Sequence, residues 1–231
     1  MNTFSIPAEP YDFALRPDAC ALLVIDMQRD FLEPGGFGES LGNDVSLLRR
    51  TIAPIRTLLA AWRALAWPVL HTREGHAPDL SDLHASKRMR GSPSRGIGDP
   101  GPMGRILVRG EPGHEIVPEL VPVAGEPVVD KRGKGAFYAT DLDVLLQARG
   151  IRQLVVVGVT TEVCVHTTVR EANDRGYECL VPSDCTGSYF PEFHEAGLAM
   201  IKAQGGIFGW VTRSPELLAA IERLPSSTKS P

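Results

Sequence analysis

The chain has 231 residues, enough for one α/β domain with a well-buried core and short for two. Hydrophobic residues make up 43% and charged residues 23%, an ordinary balance for a soluble globular protein. The net charge is −4 and the 24 basic residues are scattered, which argues against nucleic acid; no apolar run approaches the ~18 residues of a transmembrane helix, which argues against membrane insertion.

The first 18 residues hold Pro7, Pro10 and Pro17 and read as an arm outside a single domain. They show neither a basic n-region nor a long apolar run, so no signal peptide is expected and the protein reads as cytoplasmic. Cys20, Cys164, Cys179 and Cys185 are then expected as free thiols. Residues 21–25 (ALLVI) form a continuous apolar run, as in a strand covered on both faces. Over 44–66, Val45, Leu48, Ile52, Ile55, Leu59, Trp62 and Leu65 recur at steps of three and four, one face of a helix that Pro54 must kink or restart. A second strand is predicted over 68–72 and a third over 127–130. Between them, 74–112 is the longest irregular stretch, and a loop of that length points to function. Its basic cluster at 87–90 reads as a solvated face.

Thr140, with Asp143 three residues on, predicts a helix start, and Gly150 its end. Residues 154–159 (LVVVGV) predict the most deeply buried strand, running into a helix over 162–175 that Gly176 closes. A strand over 179–182, a helix over 191–203 and a strand over 207–212 follow. Ser214-Pro215 reads as an N-cap before a last helix, and 225–231 as a frayed tail. Strands alternating with helices imply a parallel sheet covered on both faces, with ligands bound beyond the carboxyl ends of its strands.

Three reactive residues fall at those ends. Asp26 closes the first strand, Lys131 follows the third and Cys164 follows the fourth. Cys164 sits at a predicted helix start, where free N–H groups favour a thiolate and can receive an oxyanion. Its plain alternative is a buried structural cysteine, a description that fits Cys20, Cys179 and Cys185 better. A carboxylate such as Asp26 at a strand end suits proton transfer, or caps a loop N–H instead. Lys131 would be a surface lysine in most proteins; beside a carboxylate and a thiol it would stabilise both anions. Gly133-Lys134-Gly135 lacks the spacing of a phosphate loop, and no dinucleotide fingerprint or serine nucleophile elbow is present. His71, His76 and His84 with Glu74 match no specific metal motif, and no paired-cysteine zinc pattern occurs.

Taken together, ALLVIDMQRDF with Asp26, DKRGKGAFYATDL with Lys131 and VVVGVTTEVCVHTTVREANDRGYEC with Cys164 resemble the isochorismatase-like cysteine hydrolases from about residue 19 to 213. The resemblance implies a three-layer α/β/α sandwich with a six-stranded parallel Rossmann-like sheet. It implies a catalytic Asp26, Lys131 and Cys164, a cis peptide between Val159 and Thr160, and an oxyanion hole from the N–H groups of Thr160 and Cys164. HTREGHAPDLSDL, GIGDPGPMGRILVRGEP, REANDRGYECL and KAQGGIFG are similar to biuret hydrolases and related ureide hydrolases. On that likeness Phe31, Lys134 and Gln204 contact a small ureide or amide, no cofactor or metal is needed, and the protein is a homo-oligomer, a tetramer. The FGWV ending at 208–211 is shared with ureidoacrylate hydrolases. Isochorismatases proper lack the cysteine; nicotinamidases hold a metal through Asp-x-His where this chain has Glu74-Gly75-His76. Two departures from the ureide pattern are Glu162, in the place of an aspartate, and Tyr189-Phe190-Pro191-Glu192. Within the family the alternative is a ureidoacrylate- or nicotinamide/maleamate-type amidohydrolase; outside amide hydrolysis, the alternatives are a non-catalytic binding protein and a thiol-redox protein acting through Cys164.

Overall fold

The computed structural model describes residues 3–88 and 95–223. The predicted tail at 225–231 and the end of the basic cluster, Met89 and Arg90, lie outside the described residues.

The chain runs β1 (Cys20–Ile25), α1 (Ile52–Ala64), β2 (Val69–Glu74), β3 (Val128–Lys131), α2 (Leu142–Gln147), β4 (Gln153–Val159), α3 (His166–Asp174), β5 (Glu178–Pro182), α4 (Pro191–Gly206), β6 (Trp210–Thr212) and α5 (Ser214–Glu222). The six strands are all parallel, in the order β6-β5-β4-β1-β2-β3, with Thr186–Gly187 adding a short parallel pairing to β4. The chain leaves β1 toward one edge, then returns to β4 on the other side of β1. The strand order therefore reverses between β1 and β4, and their carboxyl ends flank the crevice where such sheets bind ligands.

Alternation along the central strands divides the interior into two cores. Leu22 and Val24 of β1, with Val155 and Val157 of β4, pack under α1 and α5. Leu23 and Ile25, with Leu154 and Val156, pack under α2, α3 and α4. That is the expected α/β/α sandwich.

Three local expectations are revised and one is borne out. The N-terminal residues are not an arm outside the core. Phe4–Ile6 and Phe13–Leu15 form an antiparallel hairpin whose Ile6, Phe13 and Leu15 are buried in the first core. The restart expected at Pro54 over 44–66 is borne out: the segment is two helices, Ser46–Arg49 and α1, and Pro54 sits in the first turn of α1, where its missing N–H costs nothing. Ser214 is the first helical residue of α5 rather than its cap; its N–H and hydroxyl donate to Asp184. The helix after β4 opens with a π-wound turn, Thr161–Val165, before α3.

Candidate active site

Asp26 takes a positive φ of 48° as the chain leaves β1. Its carboxylate accepts a hydrogen bond from the Thr72 hydroxyl at 2.6 Å, while its N–H donates to the carbonyl and hydroxyl oxygens of Thr72. Lys131 ends β3. Its ammonium lies 2.7 Å from Asp26 Oδ2 and donates to the carbonyls of Gly133 and Lys134. Glu74 ends β2 and faces Lys131 directly across the β2–β3 pairing. Gln28 fixes it by gripping its backbone in both directions: the side-chain oxygen accepts the Glu74 N–H at 2.7 Å, and the amide nitrogen donates to the Glu74 carbonyl at 2.9 Å.

Cys164 lies on the π turn beyond β4. The carbonyl of Thr160 accepts from the N–H groups of Val163 and Val165 and skips that of Cys164, and the Val159–Thr160 peptide is cis, as the resemblance implies. A carboxylate oxygen from each of Asp26 and Glu74 and the Cys164 sulfur lie within 4.8 Å of one another, and all three residues are buried. The thiol donates to Glu74 Oε2 at 3.5 Å.

The electrostatics is that of a dense buried ion cluster. Besides Lys131 at 3.8 Å, Glu74 meets Lys134 at 2.8 Å and Lys87 at 2.7 Å. Burial pushes the Glu74 carboxyl up, but the three ammonium groups outweigh it and hold the acid well below the usual carboxylate range. Burial also acts most strongly on Cys164. It raises the thiol well above its ordinary value, against the opposing pull of Lys131. At Cys164 desolvation therefore opposes the thiolate that the free N–H groups of a helix start favour.

A cavity of about 250 Å³ opens onto this cluster, lined by Cys164, Thr160, Glu74, Lys134, Phe31 and Glu162, with Leu41, Asn43, Tyr189 and Phe190 among its outer walls. Phe31 and Lys134 thus line the cavity. Gln204 does not: Ala203, Gln204 and Gly205 leave helical geometry, and Gln204 is exposed in a left-handed turn (φ 52°) outside the lining. A larger open groove of about 760 Å³, beside Asp184, His194 and Lys202, includes none of the clustered reactive groups.

Two residues escaped the reading of the sequence. In the sequence Glu74 stands out only beside histidines, as a metal ligand, although its place at the end of β2 puts it on the same sheet edge as Asp26 and Lys131. Lys87 reads as part of a solvated cluster, yet its ammonium reaches Glu74; no sequence signal distinguishes it from its neighbours. The histidines do not assemble with Glu74. His71 pairs with Glu126, His76 with Asp82, and His84 is exposed. Among the described residues the one cluster of donors suited to a metal is Asp26, Glu74 and Cys164. Its oxygens already face three ammonium groups, a poor fit to a cation. Cys20, Cys179 and Cys185 are free and buried in the cores, and burial pushes the thiols of Cys20 and Cys179 to about 12, as befits structural cysteines.

An isochorismatase domain family model matches residues 20–216. An isochorismatase family protein from Desulfovibrio vulgaris has a similar structure, with a TM-score of 0.74 and 31% identity over 89% of this chain and 100% of that one. A cysteine hydrolase from Pseudomonas syringae superposes with a TM-score of 0.77 at 28% identity, covering 96% of this chain and 98% of its own. The N-carbamoylsarcosine amidase of Thermoplasma acidophilum gives 0.64 at 25% identity, covering 85% and 96%.

Proposed function

This chain belongs to the isochorismatase family, and on that premise we propose that it is a cysteine amidohydrolase that releases ammonia from a small linear ureide such as biuret or triuret. The observation that carries the reading is the convergence of the Cys164 thiol with the Asp26 carboxylate, itself paired to the Lys131 ammonium, beside a small cavity that Cys164 lines.

A thiol raised by burial needs a base, and Asp26 is the better candidate of the two carboxylates. Glu74 has its oxygens engaged by Lys87 and Lys134 and is held strongly acidic; among the described residues the one cation that Asp26 Oδ2 meets is Lys131. In the proposed cycle Asp26 takes the Cys164 proton, Lys131 steadies the charge, and sulfur attacks the terminal carbamoyl carbon. The N–H groups of Thr160 and Cys164 receive the oxyanion. Asp26 returns its proton to the departing nitrogen, ammonia leaves, and a thioester-type acyl-enzyme remains. Asp26 then deprotonates water, which displaces sulfur.

The cavity supports a small substrate, since about 250 Å³ lies below the ~300–1,000 Å³ of ordinary ligand pockets. Aromatic faces from Phe31, Tyr189 and Phe190, with polar ends at Lys134, Asn43 and Glu162, suit a flat neutral molecule carrying both donors and acceptors. N-carbamoylsarcosine amidase, a structural relative, is named for a carbamoyl substrate. Both departures from the ureide pattern, Glu162 and the segment beginning at Tyr189, line the cavity, so they bear on which ureide fits. No described helix is long and apolar enough to cross a membrane; a cytoplasmic location and a homotetramer remain part of the proposal, the latter to be read by sedimentation equilibrium. The decisive assay is ammonia release from biuret, triuret, guanylurea, ureidoacrylate, nicotinamide and maleamate. Turnover of a ureide above the other amides is the expected result. Preference for nicotinamide or maleamate would overturn the substrate class and leave the cysteine mechanism standing.

A further inference from the structure

The ion cluster contains one more cation than the proposed mechanism uses. Three ammonium groups, Lys87, Lys131 and Lys134, converge on Glu74, and Asp26 is the second carboxylate of the cluster. With Cys164 as a thiol the set carries one excess positive charge. With a thiolate it is balanced.

Lys87 is the surplus member. It does not come from the sheet edge. It arrives on the helical turn Ala85–Arg88 of the long loop after β2, and its side chain is only 14% exposed. Its ammonium donates to Glu74 Oε1 at 2.7 Å and to the carbonyl of Arg132 at 2.7 Å. A partly desolvated charge held this way acts more strongly than a surface pair. The groups acting most on the thiol are Lys131, Asp26, Glu74 and Lys134. Those facing Lys87 are Glu74, Lys134 and Lys131, with the His76 ring beside it, which burial keeps from charging. Glu162 lines the same cavity and makes no ion pair with this set among the described residues.

We propose that Lys87 is a positioning residue for the nucleophile: acting through Glu74, it supplies the third positive charge that leaves the cluster electrically balanced when Cys164 ionises. This rests on the reading of Cys164 as nucleophile. The long loop is then part of the catalytic electrostatics, and docking of its helical turn is what makes the thiolate accessible. Without Lys87 the cluster is neutral around a thiol, and ionisation leaves an uncompensated buried negative charge.

The test measures thiolate directly. The rate of Cys164 alkylation by iodoacetamide is followed by intact mass from about pH 6 to about pH 10, where the thiolate is the reacting form. Cys164→Ala serves as the blank for the other cysteines. In Lys87→Met the profile should move to higher pH by about one unit, with alkylation about tenfold slower below both midpoints. Lys87→Arg should keep the wild-type profile. The double variant Lys87→Met/Glu74→Gln restores the balance and should move the profile back toward wild type, which a loop-pinning role would not do. If Lys87→Met does not fold, Lys87→Gln is the second variant for the same comparison. A wild-type profile in the uncharged variant, or a double variant displaced further than the single, overturns the proposal. Amide cleavage is not needed for this readout, so a failed substrate assay leaves it intact. Absence of any Cys164 labelling in the wild type would instead remove the nucleophile reading on which it stands.

Discussion

Glu74→Gln should be among the most destabilising single changes in this protein. The carboxylate is fully buried and opposes three lysines, so the substitution strands buried positive charge, a loss of about 3–5 kcal/mol. Its acid is held well below the usual range in the fold. Its contribution is therefore complete above the unfolded pKa of ~4.3 and fades as pH falls toward the folded value. Urea midpoints should separate wild type from variant widely at neutral pH and converge in acid; a gap that widens in acid would contradict this assignment. The nucleophile and base make a second residue-scale prediction. Cys164→Ala should lose turnover altogether. Cys164→Ser should fall below roughly 1% of wild type, since Asp26 cannot readily ionise an alcohol. Asp26→Asn should rival them, and combining it with Cys164→Ala should cost nothing more, because groups serving the same steps are not additive. A folded Cys164→Ala that still releases a few per cent of the ammonia would exclude covalent catalysis by this residue.

At the scale of elements, the junction of β1 and β4 sets the site, and one glycine makes it possible. Gly158 pairs with Ile25 at the end of β4, just before Asp26 on one strand and the Val159–Thr160 peptide on the other. Its φ of 115° is open to glycine, and a Cβ there would overlap the carbonyl oxygen of Ile25. Gly158→Ala should therefore push β1 from β4, with a loss of at least about 3 kcal/mol and of activity with it. Chemical denaturation and the Cys164 alkylation rate, measured together, check both halves; an alanine variant as stable as wild type would mean that the strands part without cost. The strand interiors were legible because their apolar runs cover both faces, and so was the end of the helix after β4, where Gly176 takes a φ of 82°. The π turn under Cys164 was not, since periodicity cannot separate it from an ordinary first helical turn. Nor was the N-terminal hairpin, whose Ile6, Phe13 and Leu15 lie among prolines that read as linker.

For the whole molecule, topology decides which distant residues become neighbours. Asp26, Lys131 and Cys164 were legible because parallel strands share one carboxyl edge, and Phe31 and Lys134 because the resemblance carried them. Lys87 was not, because a side chain on a long loop can go anywhere that loop allows; Gln204 was named by the resemblance alone and sits on an exposed left-handed turn outside the cavity lining. The same topology answers the metal question. Donors from three strand ends, Asp26, Glu74 and Cys164, meet at distances a metal could bridge. Strand β3 and its following turn, together with the long loop, deliver three ammonium groups to the same point. A divalent ion would have to displace lysines held by carboxylates and carbonyls, and Lys131, against the opposing effect of full burial, is pushed still further toward its charged form by Asp26 and Glu74. Exhaustive dialysis against a strong chelator should therefore leave ureide hydrolysis within about twofold of the untreated enzyme. Added zinc should inhibit by capturing the thiolate rather than activate. Activity lost on chelation and regained with zinc would mean that the lysines give way to a metal in the working enzyme, and the ion cluster would then have to be reread as its vacant form.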